Sequence, residues 1–145
     1  FGTEGYLDIE IKTGRLDGGG VPEALVETLK RHGKYSHAGN ISISSFNPLA
    51  LARFKRLAPQ FAAALIWAND KSIPWYLRKG QGRLALACDY LKPEKDLAGR
   101  LAGRTGLPVV AWTVDEPGSA EALLAAGCEG LISNRPEILE GFPLR

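Results

Sequence analysis

The chain has 145 residues, 45% of them hydrophobic and 23% charged, which suits one folded domain with its own core and excludes a disordered segment. A net charge of +2 and a pI near 8.6, with no basic run interleaved with aromatics, argue against a nucleic-acid partner. No apolar stretch reaches the length of a membrane span and no signal peptide is visible, so no membrane span is expected.

The chain starts at Phe1 and contains no methionine, so the natural N-terminus is expected upstream or removed. Its two cysteines, Cys88 and Cys128, stand 40 residues apart without metal-type spacing. Two buried thiols are the expectation, which favours a reducing, cytoplasmic setting. The periplasm or secretion stays open because a leader could precede Phe1.

In chain order, the first element is "YLDIEIK", Tyr6 to Lys12. Leu7, Ile9 and Ile11 alternate with Asp8, Glu10 and Lys12, the period of a strand. "TGRLDGGG" follows as a flexible, turn-rich loop. "VPEALVETLKRHG" predicts a helix, with Pro22 in the first turn, a cationic end at Lys30, Arg31 and His32, and Gly33 at the exit. "NISISSF" predicts a strand and "NPLALARFKRLAP" a helix capped by Asn47. "AAALIWA" predicts a strand covered on both faces.

Residues from Asn69 to Gly82 show little regularity and include Trp75 and Tyr76. Thereafter "RLALACDYL" predicts a strand, "KPEKDLAGRLAGRTG" a helix and "LPVVAWTV" a strand. "EPGSAEALLAAG" predicts a helix, "EGLISN" the last strand and "RPEILEGF" a short final helix.

About six strands thus alternate with helices over residues 1–145, read as a single domain. Such alternation implies parallel strands joined by right-handed crossovers, in an open doubly wound sheet or in most of a barrel. No GxGxxG or GxxxxGK[ST] loop follows any strand, which lowers the odds of a nucleotide-binding sheet. A barrel also explains the charged side of "YLDIEIK". There the outward face packs on helices and the inward face lines the interior, so Glu10 and Lys12 would point towards the C-terminal mouth.

Their strand positions would lie roughly 6.6 Å apart, close enough for one phosphate to bridge the ammonium and a metal held by the carboxylate. The same pair also fits a structural ion pair between neighbouring strands, or an exposed edge. Ser44 and Ser45 are expected to satisfy backbone groups. Phe46 and Trp112 fit either a pocket wall or a core. His32 and His37 fall in the loop region after the first helix and are expected to be solvated, so no Ser-His-Asp or Cys-His arrangement is arguable.

"LDIEIK", "ISISSF", "VVAWTV" and "GCEGLISNRPE", in this order and approximate spacing, resemble the C-terminal part of the glycerophosphodiester phosphodiesterase family. The resemblance implies a TIM (β/α)8-type barrel, here a C-terminal portion. It also implies hydrolysis of small-molecule glycerophosphodiesters to an alcohol and glycerol 3-phosphate, with a divalent metal, Ca2+ or Mg2+. By position, Glu10 matches a metal-binding glutamate, Lys12 a phosphate contact, and Trp112 an aromatic that walls the substrate pocket, with Phe46 beside it.

The family's "HRG", "ExDV" and "HD" segments are not in this chain, so no catalytic acid or base is identified in it, and Asn134 stands where the family's "TDxP" has an aspartate. The expectation is a portion of a longer enzyme, inactive alone, that needs a missing N-terminal half or a second chain. Two other readings compete with it. One is a non-catalytic half-barrel that dimerises; the other is a different phosphate-handling barrel that binds an anion at "GLISNRP".

Overall fold

The computed structural model describes residues 5–69, 88–140 and 142, and these fall into two compact units, the first ending at Ile66 and including Cys88 and Asp89, the second holding the remainder. Residues 83–87 of the predicted strand "RLALACDYL", and the irregular stretch with Trp75 and Tyr76, lie outside the described residues.

In the first unit, β1 (Leu7–Glu10), β2 (Ile41–Ser45) and β3 (Ala62–Trp67, all but its last residue in this unit) run parallel in the order β1-β2-β3. Two helices, α1 (Val21–Arg31) and α2 (Pro48–Leu57), connect them. The core forms where Ile41 and Ile43 of β2 meet Leu51 and Phe54 of α2, with Val26 and Leu29 of α1 also buried. Phe54 and Tyr35 each pack edge-on against Phe61, with ring centroids 5.8 Å apart in both pairs. Burying one such large side chain stabilises the unit by about 1.5–3 kcal/mol.

Lys55 ties α2 to β3 from below. Its ammonium donates to the Phe61 carbonyl and to Asp89, whose carboxylate also accepts the Ala63 amide. On the helix surfaces, Arg53 pairs with Glu23, and this guanidinium holds the Glu23 carboxyl below its usual range. Of the three outward residues of "YLDIEIK", only Ile11 is fully buried. Leu7 is 40% exposed because, among the described residues, β1 pairs with β2 alone.

The glycine run predicted as a flexible loop is a hydrogen-bonded turn. Gly18, Gly19 and Gly20 all adopt left-handed backbone angles, φ 85°, 58° and 82°, which residues with a Cβ rarely tolerate. Asp17 accepts from the Gly19 amide and from the Arg15 guanidinium, and the Asn47 amide group donates to the Arg15 carbonyl. Asn47 also caps α2 by accepting from the amides of Leu49 and Ala50, as its position predicts. One side chain therefore joins the loop after β1 to the start of α2.

The second unit comprises β4 (Tyr90–Pro93), α3 (Lys95–Leu101), β5 (Val110–Ala111), α4 (Pro117–Ala125) and β6 (Gly130–Leu131), followed by a 3-10 turn over Pro136–Leu139. Parallel bridges join Leu91 to Val109 and Glu94 to Trp112, and β5 pairs parallel with β6. The helix begins three residues later than the sequence predicts, because Lys92 and Pro93 extend β4. Its packing uses small residues: Ala98, Ala102 and Ala120 are buried together with Leu123, and a Cβ on Gly99 would meet Leu123 at 3.7 Å. Val114, expected to share a face with Val110 and Trp112, lies past the strand and is fully buried, its amide donating to the Ile132 carbonyl.

Beyond β5 and β6, Asp115 ties the strand ends together. One of its oxygens accepts from the Ser133 hydroxyl at 3.0 Å and the Asn134 amide at 2.8 Å, and the other accepts from the Asn134 side-chain amide at 3.0 Å. These bonds, with the Asn134 backbone contribution largest, hold the Asp115 carboxyl below its usual range. Asn134 thus answers a carboxylate that the chain carries at 115.

Two outcomes follow from these contacts. Asp17, held down to about 2 chiefly by Arg15, contributes stability above pH 3.8 that is lost as the pH falls towards 2. The melting-temperature gap between wild type and Asp17→Asn should therefore close over that interval, and a gap constant with pH would refute the coupling. Asp115→Asn, which sets two amides face to face, and Asn134→Asp, which opposes two carboxylates, should each lower the melting temperature, while the double exchange D115N/N134D should recover most of the loss. Additive losses in the double variant would show that the two side chains do not act as a pair.

Candidate active site

Glu10 closes β1, and its Cα partner in the adjacent strand is Ser44. Its side chain is 30% exposed, and one carboxylate oxygen stands 3.6 Å from the Lys12 ammonium, whose side chain is 80% exposed. At that separation the two groups attract without a hydrogen bond. The pair lies within one strand end rather than across two strands, and solvent reaches both groups. Lys12 is thus a cation that solvent and small anions can approach, and Glu10 is a half-covered carboxylate beside it.

Below Glu10 on the same side of β1, Asp8 accepts hydrogen bonds from Ser42 at 2.8 Å and Ser44 at 3.3 Å. The sequence placed Asp8 on this face without assigning it a partner. Ser45 satisfies backbone groups as expected, donating to the Ile11 carbonyl and accepting from the Asn47 amide. Phe46 follows β2 and is half-buried. The first unit therefore brings together Glu10, Lys12 and the strand end that carries Phe46. All lie at the C-terminal ends of parallel strands, where α/β folds place their ligand sites.

Trp112 belongs to the second unit, also at a strand end. It is half-buried and its ring is pinned: Nε1 donates to the Lys92 carbonyl at 2.8 Å. Its own amide reaches the Pro93 carbonyl, and its carbonyl accepts from the Lys95 amide. Beside it, Lys92 is 3% exposed, with its ammonium 5.6 Å from the centre of the Tyr90 ring. By sequence Lys92 reads as the start of a helix; only the pairing of β4 with the next strand shows it as a strand residue.

His32 and His37 are exposed in the segment after α1, away from any cluster of chemistry-bearing groups. Cys88 and Cys128 are buried free thiols, and burial pushes the Cys128 thiol up. At "GLISNRP", the Asn134 amide is taken by Asp115 and the Arg135 guanidinium by Glu137. Carboxylates of the chain itself thus take the Asn134 amides and one N–H of the Arg135 guanidinium.

Among the described residues no group of three His, Cys, Asp or Glu side chains could hold a metal ion. Glu10 offers one carboxylate, whereas Ca2+ takes six or more oxygens and Mg2+ a near-octahedral set. The described residues by themselves do not fit either cation. No helix among them is long and apolar enough to cross a membrane.

Comparison with known proteins bears directly on this arrangement. The chain is 29% identical over 133 residues to the glycerophosphodiester phosphodiesterase of Caldanaerobacter subterraneus subsp. tengcongensis, covering 92% of this chain and 53% of that protein. A candidate glycerophosphoryl diester phosphodiesterase from Silicibacter pomeroyi has a crystal structure with TM-score 0.74 at 21% identity, over 92% of this chain and 48% of that one. The Oleispira antarctica phosphodiesterase solved with its product sn-glycerol-3-phosphate gives TM-score 0.67 at 22% identity, over 91% and 52%. These structural likenesses establish an α/β fold of the TIM-barrel type, and the chain spans about half the length of the relatives it matches. Because residues 7–138, nearly the whole chain, match the glycerophosphoryl diester phosphodiesterase family, the chain belongs to that family.

Proposed function

We propose that this chain is the C-terminal portion of a barrel enzyme that hydrolyses glycerophosphodiesters to an alcohol and glycerol 3-phosphate. The observation that carries the reading is the match over residues 7–138, joined to the placement of Glu10 and Lys12 side by side at the end of β1. Lys12, exposed and cationic, neutralises the phosphoryl group and orients it. Such a charge contributes most where later contacts exclude water. Phe46 past the end of β2 and Trp112 past the end of β5 each offer the substrate an aromatic face, and the fixed Trp112 ring needs no reordering on binding.

Glu10 contributes one ligand to a divalent cation, Ca2+ or Mg2+, whose remaining ligands come from outside the described residues. When bound, such an ion offsets phosphoryl charge and acts as a Lewis acid. The general acid and base also come from the rest of the barrel, in the same longer chain or in a second one. The exposed Leu7 on β1, which pairs only with β2 among the described residues, and the exposed Tyr6 just before it support a further strand there.

Residues 1–145 assayed alone with calcium or magnesium and a glycerophosphodiester should show no turnover; steady release of glycerol 3-phosphate would overturn the requirement for further chain. In the full-length protein, Glu10→Gln should lower kcat/KM by about a hundredfold, the scale of losing one preorganised electrostatic group. Lys12→Met should chiefly weaken substrate binding. Unchanged activity in Glu10→Gln would remove Glu10 from the site.

A further inference from the structure

The positions just past the paired strands of the second unit form a row. Glu94 follows β4 directly and is the parallel partner of Trp112. Val110 pairs with Gly130 and Ala111 with Leu131, so the next residue, Ile132, flanks Trp112 on its other side, its amide donating to the Ala111 carbonyl. Residues in register on adjacent parallel strands project to the same side, with the strands about 4.8 Å apart. A carboxylate, an indole and an aliphatic side chain therefore stand side by side at the C-terminal strand ends.

Glu94 is half-buried and precedes α3, yet its side chain does not cap that helix, and among the described residues it makes no hydrogen bond or ion pair. Lys92, on the same side of β4, sends its ammonium to 5.6 Å from the centre of the Tyr90 ring, towards the start of the strand and away from Glu94. Trp112 is half-buried and held by the Lys92 carbonyl, and Ile132 is 38% exposed, so both present fixed apolar surface to solvent. A half-covered carboxylate attracts a cation more strongly than one in bulk water does. The apolar neighbours add what a small hydrated cation cannot use, a surface for methyl groups. A quaternary ammonium group combines a permanent positive charge with a shell of methyls that pack on aromatic rings. An uncharged alcohol gains nothing from the charge.

We propose that Glu94 sets the specificity of the site for the alcohol portion of the substrate: together with Trp112 and Ile132, it selects glycerophosphodiesters of quaternary ammonium alcohols over those of uncharged alcohols. The inference rests on the phosphodiesterase reading above and names the substrate class within it.

The experiment measures kcat/KM in the full-length protein for glycerophosphocholine, for its 3,3-dimethylbutyl isostere, which keeps the shape without the charge, and for glycerophosphoglycerol. Wild type should favour the choline diester over the isostere about tenfold, and Glu94→Gln should bring the two values together. Glu94→Asp, which keeps the charge, should retain the preference for choline. Equal values for choline and isostere in wild type, or a preference that survives in Glu94→Gln, overturns the specificity role and leaves the hydrolase reading intact. A wild type that favours glycerophosphoglycerol over the choline diester does the same. Turnover of none of the three diesters overturns both readings. Should Glu94→Gln fail to fold, free choline and 3,3-dimethylbutanol tested as inhibitors of wild-type hydrolysis decide instead: stronger inhibition by choline supports the role of Glu94, and equal inhibition overturns it.

Discussion

Two fully buried serine hydroxyls govern how β1 lies against β2. Ser42 and Ser44 have no access to solvent, and a buried hydroxyl left without a partner costs roughly 1–3 kcal/mol. Asp8 on the neighbouring strand supplies one carboxylate oxygen to each. This fixes the register, since a slip of one residue would present Leu7 or Ile9 to the serines and turn the acids to the helix side. With Asp8 locked below, Glu10 and Lys12 follow on the same side at the strand end. The charged pair at the mouth is therefore a consequence of the polar layer beneath it.

The second unit solves a related problem with a cation. Lys92 is buried on β4 between the fully covered Leu91 and Pro93, and its ammonium lies 5.6 Å from the centre of the Tyr90 ring. Its carbonyl fixes the Trp112 indole, so one residue contributes both a main-chain anchor and a charge. Past the same strand ends, Asp115 satisfies the amides at Asn134 and the Ser133 hydroxyl. Polar groups that tie this unit together thus gather at the ends of β4, β5 and β6.

Asn134, which stands where the resemblance leads one to expect an aspartate, is held by a carboxylate of the chain itself. Asp115 carries the charge and Asn134 the amide, and the hydrogen bonds between them keep both polar groups satisfied. The same pairing takes the Asn134 donors, and Glu137 takes the Nε hydrogen of Arg135.

Alternation of apolar and charged residues in "LDIEIK", the Asn-Pro start of α2 and the glycine-rich exits are local patterns. They made the strand and helix order, the Asn47 cap and the face shared by Asp8, Glu10 and Lys12 readable from the chain by itself. Local pattern failed where two signals competed. "KPEK" looks like a helix start because proline suits a first turn, and only pairing with β5 draws Lys92 and Pro93 into β4. Partners distant in sequence were likewise invisible: Asp8 with Ser42 and Ser44, Asp115 with Asn134, and the left-handed turn that Asp17 organises on Gly19. Side-chain periodicity reports which face a residue takes; what it meets on that face depends on strand order and register, which only the folded chain decides.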